Sequence, residues 1–304
     1  MSQLAAMACD MDAFYKPFEP IYTQRLLRSG KRLNSKEESM HFLNKTYWVI
    51  CLMTFMFLGT GVQAQNLCVG YGPQSPRDIR SKDGINKMSS SLAPKYEKMN
   101  LCNIHFHKNA EHKGKYFDID TNGSGFQCTS SPIAKGEKMN AENKKKVCDN
   151  DVMVGDTIEV HWVHTTCNSD IVPNNWPAQC VNPKCKNPQL RVEAQVFRIV
   201  DHDNGLNFGN FTFVYEKNGY YQARGLENLP VEHSVTYRGS LTGASFSEQV
   251  CSDLQVTWNV RDSCQNLDID SLGKWCDSNV FEEKKAHSLR GLVRNPALLS
   301  PITD

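Results

Sequence analysis

The chain has 304 residues, of which 40% are hydrophobic and 22% are charged, a composition typical of a folded globular protein. Its formal net charge of +1 excludes the strongly basic surface on which binding to nucleic acid or to an anionic membrane would depend. Twelve cysteines are more than a reduced cytosolic enzyme usually carries, and they indicate an oxidising compartment.

Residues 40–64 have the pattern of a signal peptide. The uncharged run Tyr47–Leu58 is too short to span a bilayer, which needs about 20 apolar residues, but it suits the apolar core of a signal peptide. Lys45 precedes this run, and small residues at 62 and 64 follow it as a cleavage site before residue 65. A buried core helix is the alternative interpretation. The pattern predicts a protein that is secreted or periplasmic and keeps no membrane span after cleavage.

The rest of the chain divides around this segment. A start at Met40 would give a signal peptide of ordinary length, so we expect residues 1–39 to be a mis-assigned or disordered upstream extension. Residues 65–304 contain neither an internal repeat nor a long linker and are predicted to form a single domain. They hold ten of the twelve cysteines, and an even number in an exported chain favours disulfides over zinc clusters.

The predicted domain is mainly β, with few short helices. Turn-rich sequence separates stretches that are short and rich in β-branched and aromatic residues. These predicted strands are Ile158–His164, Leu190–Val200, Asn210–Glu216 and Leu254–Val260. The tail after Phe281 is polar and is predicted to be irregular.

Five of the nine histidines fall in two clusters that suggest a metal site. Alternate residues of a strand share a face, so His105 and His107 should project together, as should Glu159 and His161. Three neutral histidines with one water form the open pattern of catalytic zinc, which lowers the pKa of bound water to about 7. A carboxylate beside a ligand histidine orients its ring. The ordinary alternative is a set of hydrogen-bonded strand histidines, and His112 is the alternative ligand.

Several short motifs resemble those of carbonic anhydrases. Leu101–Gly114 (LCNIHFHKNAEHKG) is similar to the signature of the delta class. Other segments resemble, in the same order, motifs of the alpha class: Gln74–Ile79, His105–His107, Glu111–His112, Glu159–His164, Tyr237–Thr242 and Val256–Trp258. The resemblance implies an alpha-carbonic-anhydrase-like fold, with a central twisted and largely antiparallel sheet.

The resemblance also implies an activity. His105, His107 and His161 would bind Zn2+, with Glu159 behind His161. The protein would then be an exported carbonic anhydrase, a lyase that converts CO2 reversibly to bicarbonate and a proton through zinc-bound hydroxide. A non-catalytic binding protein of the same fold and a zinc hydrolase of esters are the alternatives.

Further roles follow from the same resemblance. Thr242 would accept a hydrogen bond from the hydroxide and donate one to Glu111. An apolar wall for CO2 would consist of Val163, Leu241, Val256 and Trp258. The residue that carries the released proton stays open among His112, His202, His233 and direct transfer to buffer.

The cysteines receive two kinds of prediction. The resemblance implies a disulfide between Cys68 and Cys251, which would restrain the loop that holds Thr242. Proximity in sequence alone suggests three further pairings, none of which the sequence determines: Cys128–Cys148, Cys264–Cys276 and a pair among Cys167, Cys180 and Cys185. Zinc binding by Cys180, Cys185 and their neighbours is the alternative.

Overall fold

Strands make up most of the regular structure. The computed structural model describes residues 68–88, 91–131, 145–168, 180–181, 184–201 and 205–302, which form one compact unit. The predicted signal peptide and the extension before it lie outside these residues and stay predictions. None of the described helices is long and apolar enough to cross a membrane.

The bounds of the strands agree best with the predicted ones in segments that are rich in β-branched residues. In chain order they are β1 (Asn100–Lys108), β2 (Phe117–Asp120), β3 (Phe126–Cys128), β4 (Lys146–Val147), β5 (Val152–Met153), β6 (Thr157–Thr165), β7 (Leu190–Val200), β8 (Val214–Lys217), β9 (Tyr220–Ala223), β10 (Ser234–Ser240) and β11 (Gln255–Asp268). One helix, α1 (Ile269–Asp277), follows β11 directly. Its N-cap is Asp268, whose side chain accepts the backbone N–H groups of Asp270 and Ser271. This capping favours the start of a helix at the end of β11. Short 3-10 turns cover Tyr96–Lys98, Phe208–Phe211, Leu226–Asn228 and Pro296–Leu298.

One predicted strand was wrong in its first half. Asn210–Glu216 was expected to be extended, but the chain forms the 3-10 turn Phe208–Phe211 and enters β8 only at Val214. The side chain of Asn207 accepts the N–H of Gly209 at the start of that turn. This local cap outweighs the β propensity of the phenylalanines.

A five-stranded central sheet has the order β1-β6-β7-β11-β10. Three of its four pairings are antiparallel, and only β7 and β11 run parallel. The prediction of a mainly β protein with a central, largely antiparallel sheet is therefore confirmed, and the sheet is mixed in detail.

Both faces of the sheet are covered. Every residue of β6 is buried, so its alternating side chains enter two different cores. Trp162 packs with Phe208 and Trp275 of α1 on one face. Val163, on the other face, belongs to the core of Val256 and Trp258. Polar side chains on β6 must therefore find partners inside the protein.

The ten predicted mature cysteines form five disulfides. The pairs are Cys68–Cys251, Cys102–Cys180, Cys128–Cys264, Cys148–Cys276 and Cys167–Cys185. The bridge implied by the resemblance is thus present, and the predicted pair among Cys167, Cys180 and Cys185 is confirmed as Cys167–Cys185. The proposed Cys128–Cys148 and Cys264–Cys276 pairs were wrong, because the fold brings Cys128 of β3 to Cys264 of β11 and Cys148 to Cys276 of α1.

A buried histidine on the far face of β6 gives a testable pH effect. His164 is fully buried, and its Nδ1 donates to the Trp162 carbonyl at 3.1 Å. Burial lowers its pKa to about 3, with smaller contributions from Arg191 and Arg261. The unfolded chain therefore takes up this proton below pH ~6.5, while the native protein does so only near pH 3. Unfolding free energy should fall with acidification by up to about 1.4 kcal/mol per pH unit from this group, and above pH ~6.5 the group should contribute no slope.

Urea unfolding at several pH values measures this contribution. A His164→Gln variant should show a shallower loss of stability between pH 6 and pH 4 than the unmodified protein. Exposed His233 provides the control, because His233→Gln should leave the slope unchanged. Equal slopes in all three proteins would contradict the assignment.

Candidate metal centre

Three histidine side chains converge on one face of the central sheet. His105 and His107 are two residues apart in β1 and share a face. The antiparallel register places His161 of β6 opposite His105, and Glu159 opposite His107. Ligand atoms of the three histidines all lie within 4.8 Å of one another, and the three side chains are buried. The structure thus brings together all three histidines that the sequence singled out as ligands.

Glu159 is a shared hydrogen-bond acceptor beneath this cluster. Its Oε1 lies 3.0 Å from His161 Nε2 and 2.6 Å from His112 Nδ1, and its Oε2 accepts the backbone N–H of His112 at 3.1 Å. Burial by itself raises the pKa of Glu159, but the two histidines outweigh burial and hold that pKa well below its usual range. An ionised carboxylate only accepts hydrogen bonds. His161 therefore donates through Nε2, which leaves Nδ1 as the nitrogen available to a metal.

The other two histidines are neutral and suited to a metal. Burial lowers the pKa of His107 to about 4. Burial, together with the neighbouring imidazoles, holds the pKa of His105 well below its usual range. Both ring nitrogens of His107 are buried without a hydrogen-bond partner, which costs about 1–3 kcal/mol unless a ligand satisfies them. Neutral imidazole is the form that binds zinc and similar ions, so this donor set fits a metal ion.

His112, the alternative ligand, is held in a hydrogen-bond network. With Glu159 and His161 it forms a second group with the spacing of a metal site. Its Nδ1 already bonds Glu159, however, and its Nε2 bonds the Tyr237 hydroxyl at 2.7 Å. That hydroxyl lies 3.0 Å from Ser75 Oγ. Both ring nitrogens of His112 are thus occupied by protein groups, and the residue orients Glu159 from behind.

A cavity of about 430 Å³ opens onto the three histidines. All four residues predicted for its apolar wall line it, namely Val163, Leu241, Val256 and Trp258. Leu190 and Val192, which were not predicted, also line it. The cavity is therefore apolar on one side and carries imidazoles on the other.

Thr242 and Glu111 lie in different environments near the three histidines. Thr242 lines the cavity. Glu111 is buried, with Oε1 3.9 Å from His107 Nδ1. This Oε1 accepts the backbone N–H of Arg290 at 2.9 Å, whereas Oε2 has no hydrogen-bond partner. No hydrogen bond joins Thr242 to Glu111 among the described residues, so the relay between them stays a prediction.

The candidates for proton release are placed very differently. His112 is buried outside the cavity lining, His233 is exposed and also outside it, and His202 lies outside the described residues. Sequence reasoning missed His287, which lines the cavity and whose side chain is 30% exposed. Its ring stacks on that of His105, with centroids 4.6 Å apart.

The tail that was predicted to be irregular returns to this site. The backbone N–H of His287 donates to the Phe106 carbonyl of β1 at 2.8 Å. The Arg290 guanidinium donates to Ser240 Oγ at 3.1 Å and to the Ser247 carbonyl at 2.6 Å, on either side of Thr242. Local periodicity contained no signal for these contacts, because each joins residues that are distant in the chain.

A family model described as delta carbonic anhydrase matches residues 96–271. No curated protein matches the sequence.

Three similar solved structures are carbonic anhydrases by their descriptions. A hyperthermostable carbonic anhydrase from an active hydrothermal vent chimney is 16% identical, with a TM-score of 0.32 over 79% of this chain and 90% of its own. The alpha-carbonic anhydrase of Thermovibrio ammonificans, in complex with sulfanilamide, is 18% identical, with a TM-score of 0.27 over 72% and 84%. A halotolerant enzyme from Dunaliella salina is 14% identical, with a TM-score of 0.29 over 78% and 89%.

The match to the family model carries the assignment. It covers more than half of the chain and includes both strands that hold the three clustered histidines. The chain therefore belongs to the delta carbonic anhydrase family.

Proposed function

We propose that this protein is an exported zinc carbonic anhydrase that hydrates CO2 reversibly to bicarbonate and a proton. The observation that carries the proposal is the convergence of three buried histidines on a cavity with an apolar wall. A non-catalytic member of the fold would be expected to lack a ligand, and here the complete set is present.

His105, His107 and His161 would hold the zinc ion. When bound by three neutral histidines, zinc is a Lewis acid that ionises water at neutral pH. The protein residues supply the remaining requirements. Glu159 keeps His161 in the tautomer that binds through Nδ1, and burial keeps His105 and His107 unprotonated at neutral pH.

The apolar wall suits CO2 as the substrate. Val163, Leu241, Val256 and Trp258 offer neither charge nor hydrogen-bond partners along their side chains, apart from the Trp258 indole N–H, which donates to the Ser240 carbonyl at 3.0 Å. CO2 is an uncharged, apolar molecule, and its hydration mainly requires placement within reach of the attacking oxygen.

Thr242 and Glu111 would aim the attacking oxygen. The unpartnered, buried Oε2 of Glu111 is an acceptor available to a threonine hydroxyl. A hydroxyl that donates to a carboxylate can only accept from a further group, which would select an attacking oxygen that carries a proton. Arg290 supports both ends of this relay, since its backbone holds Glu111 and its side chain holds the loop around Thr242.

Replacing Thr242 by alanine tests this relay. Removing one preorganised hydrogen-bond group usually costs a factor of about 10²–10³ in kcat, so Thr242→Ala should lose activity on that scale while retaining zinc. Thr242→Ser keeps the hydroxyl and should restore most of the rate. Stopped-flow CO2 hydration measures both variants, and an unchanged rate in Thr242→Ala would remove the relay from the proposal.

Export is the second part of the proposal. Five disulfides suggest folding in an oxidising compartment, which agrees with the signal pattern of residues 40–64. The native protein should be secreted or periplasmic and should begin at Gln65. N-terminal sequencing of the native protein decides this, and a mature chain that begins at Met1 would contradict it.

Metal analysis combined with a stopped-flow CO2-hydration assay tests the activity directly. The chain from Gln65 should retain one zinc ion and should hydrate CO2 well above the buffer rate. Zinc without hydration but with ester cleavage would favour a zinc hydrolase. Neither metal nor hydration would favour a binding protein of this fold.

A further inference from the structure

We propose that Glu283 is a positioning residue that sets the tautomer of His105 through the side-chain amide of Asn103. The inference rests on the proposed metal site, because it concerns which nitrogen of His105 is available to a metal. Glu283 lies beyond residue 271, where the match to the family model ends, so that match assigns it no role.

Three side chains form a continuous hydrogen-bonded chain. Asn103 Nδ2 donates to Glu283 Oε1 at 3.2 Å, and Asn103 Oδ1 lies 2.7 Å from His105 Nδ1. Asn103 is fully buried, and Glu283 and His105 are only 8% and 6% exposed. Water therefore has little access to these groups, and each must find its partners within the chain.

The donors and acceptors in this series of hydrogen bonds are consistent with one assignment. A carboxylate offers only acceptors, so Asn103 must present its NH2 group to Glu283. Its carbonyl oxygen then faces His105, and an oxygen acceptor requires a protonated Nδ1. In a neutral imidazole the lone pair is then on Nε2, the nitrogen through which His105 would bind the metal.

Without an acceptor at position 283, the amide of Asn103 loses this constraint. Its two ends are nearly equal in shape, and it could rotate to present NH2 to His105. Nδ1 of His105 would then have to accept, and Nε2 would carry the proton. That tautomer cannot bind a metal through Nε2.

The position of Glu283 is itself well determined. Asn279 accepts the backbone N–H of Glu283 at 3.1 Å and donates to its carbonyl at 2.7 Å. His287 Nε2 lies 2.7 Å from Glu283 Oε2 and can donate to it. These contacts leave Oε1 directed to Asn103. His105 and His161 are therefore each oriented by a carboxylate. Glu283 acts on His105 through the Asn103 amide, and Glu159 acts on His161 directly.

The first test reads the tautomer in the protein stripped of metal by a chelator. Long-range 1H–15N correlation spectra separate protonated from unprotonated imidazole nitrogens, and the His105→Ala variant assigns the signals. We expect His105 to be protonated at Nδ1 in the unmodified protein. In Glu283→Ala a population protonated at Nε2 should appear. A His105 protonated at Nε2 before any substitution, or an unchanged tautomer in Glu283→Ala, would overturn the proposal.

The second test measures zinc affinity by chelator competition. Loss of an outer partner of a ligand usually costs 10–100-fold in metal affinity, and we expect a loss of that size in Glu283→Ala. Glu283→Gln retains an oxygen acceptor for Asn103, because His287 can change its own tautomer to meet the amide, and it should bind zinc within a few-fold of the unmodified protein. The exposed neighbour gives a control, Glu282→Ala, which should have no effect.

The outcomes separate this proposal from the proposed function. An unmodified protein that binds no zinc would refute the proposed function, while the tautomer measurement would still test Glu283. A zinc-loaded, active protein whose Glu283→Ala variant binds zinc normally would refute only the role of Glu283. If Glu283→Ala does not fold, Glu283→Leu fills the same space without an acceptor and carries the same expectation.

Discussion

Replacing His105 by alanine should abolish both zinc retention and CO2 hydration. His105 is one of the three histidines whose ligand atoms all lie within 4.8 Å of one another, and two imidazoles hold zinc far more weakly than three. Even loss of an outer partner of a ligand costs 10–100-fold in metal affinity, so the loss here should exceed about 100-fold. Zinc content after dialysis and stopped-flow hydration measure the two effects.

His233 provides the matched control for this experiment. It is exposed and lies outside the cavity lining, so His233→Ala should keep both zinc and activity. Circular dichroism should show that His105→Ala retains its strands, because the side chain is replaced without removing any hydrogen bond of the sheet. Near-normal hydration by His105→Ala would refute the assignment of the metal site.

Replacing Glu159 by alanine should weaken the fold as well as the metal site. The carboxylate accepts three hydrogen bonds from His112 and His161 and is completely buried. Removing it leaves buried N–H donors of His112 and His161 without partners, and each such group typically costs about 1–3 kcal/mol. Zinc affinity should also fall by about 10–100-fold, since nothing would hold His161 in its metal-binding tautomer.

Urea unfolding of the metal-free protein and chelator competition separate these two effects. Glu227 is a suitable comparison, since it pairs with Lys217 at 3.9 Å on the surface, where both side chains are about half exposed. Such a pair contributes at most about 1 kcal/mol, so Glu227→Ala should change little. Equal losses of stability in the two variants would show that Glu159 is not the shared acceptor described above.

Much of the site could be predicted because it depends on geometry within single strands. Residues two apart in a strand share a face, so the pairs His105–His107 and Glu159–His161 follow from the sequence alone. Asn103 lies two residues before His105, and the same rule would have placed it on that face. It was overlooked because an asparagine without a known partner has no evident role.

The disulfides show where such reasoning ends. Proximity in the chain suggested Cys128–Cys148 and Cys264–Cys276, and both were wrong. The fold pairs residues of different elements instead, with sequence separations of 136 and 128. Which cysteines meet depends on how strands and α1 pack, and no local pattern records that.

The amino-acid sequence by itself determined the mainly β character of this protein, the shared faces of its paired residues and its resemblance to carbonic anhydrases. These properties depend on backbone geometry and on residue order, which are local. Tertiary structure decided the order of the sheet, three of the five disulfides and the return of the tail that carries Glu283, His287 and Arg290. These contacts join segments that are distant in the chain, as in the hydrogen bonds of Glu283 to Asn103 and of Arg290 to Glu111, about 180 residues apart. Only the packing of the folded chain brings such segments together.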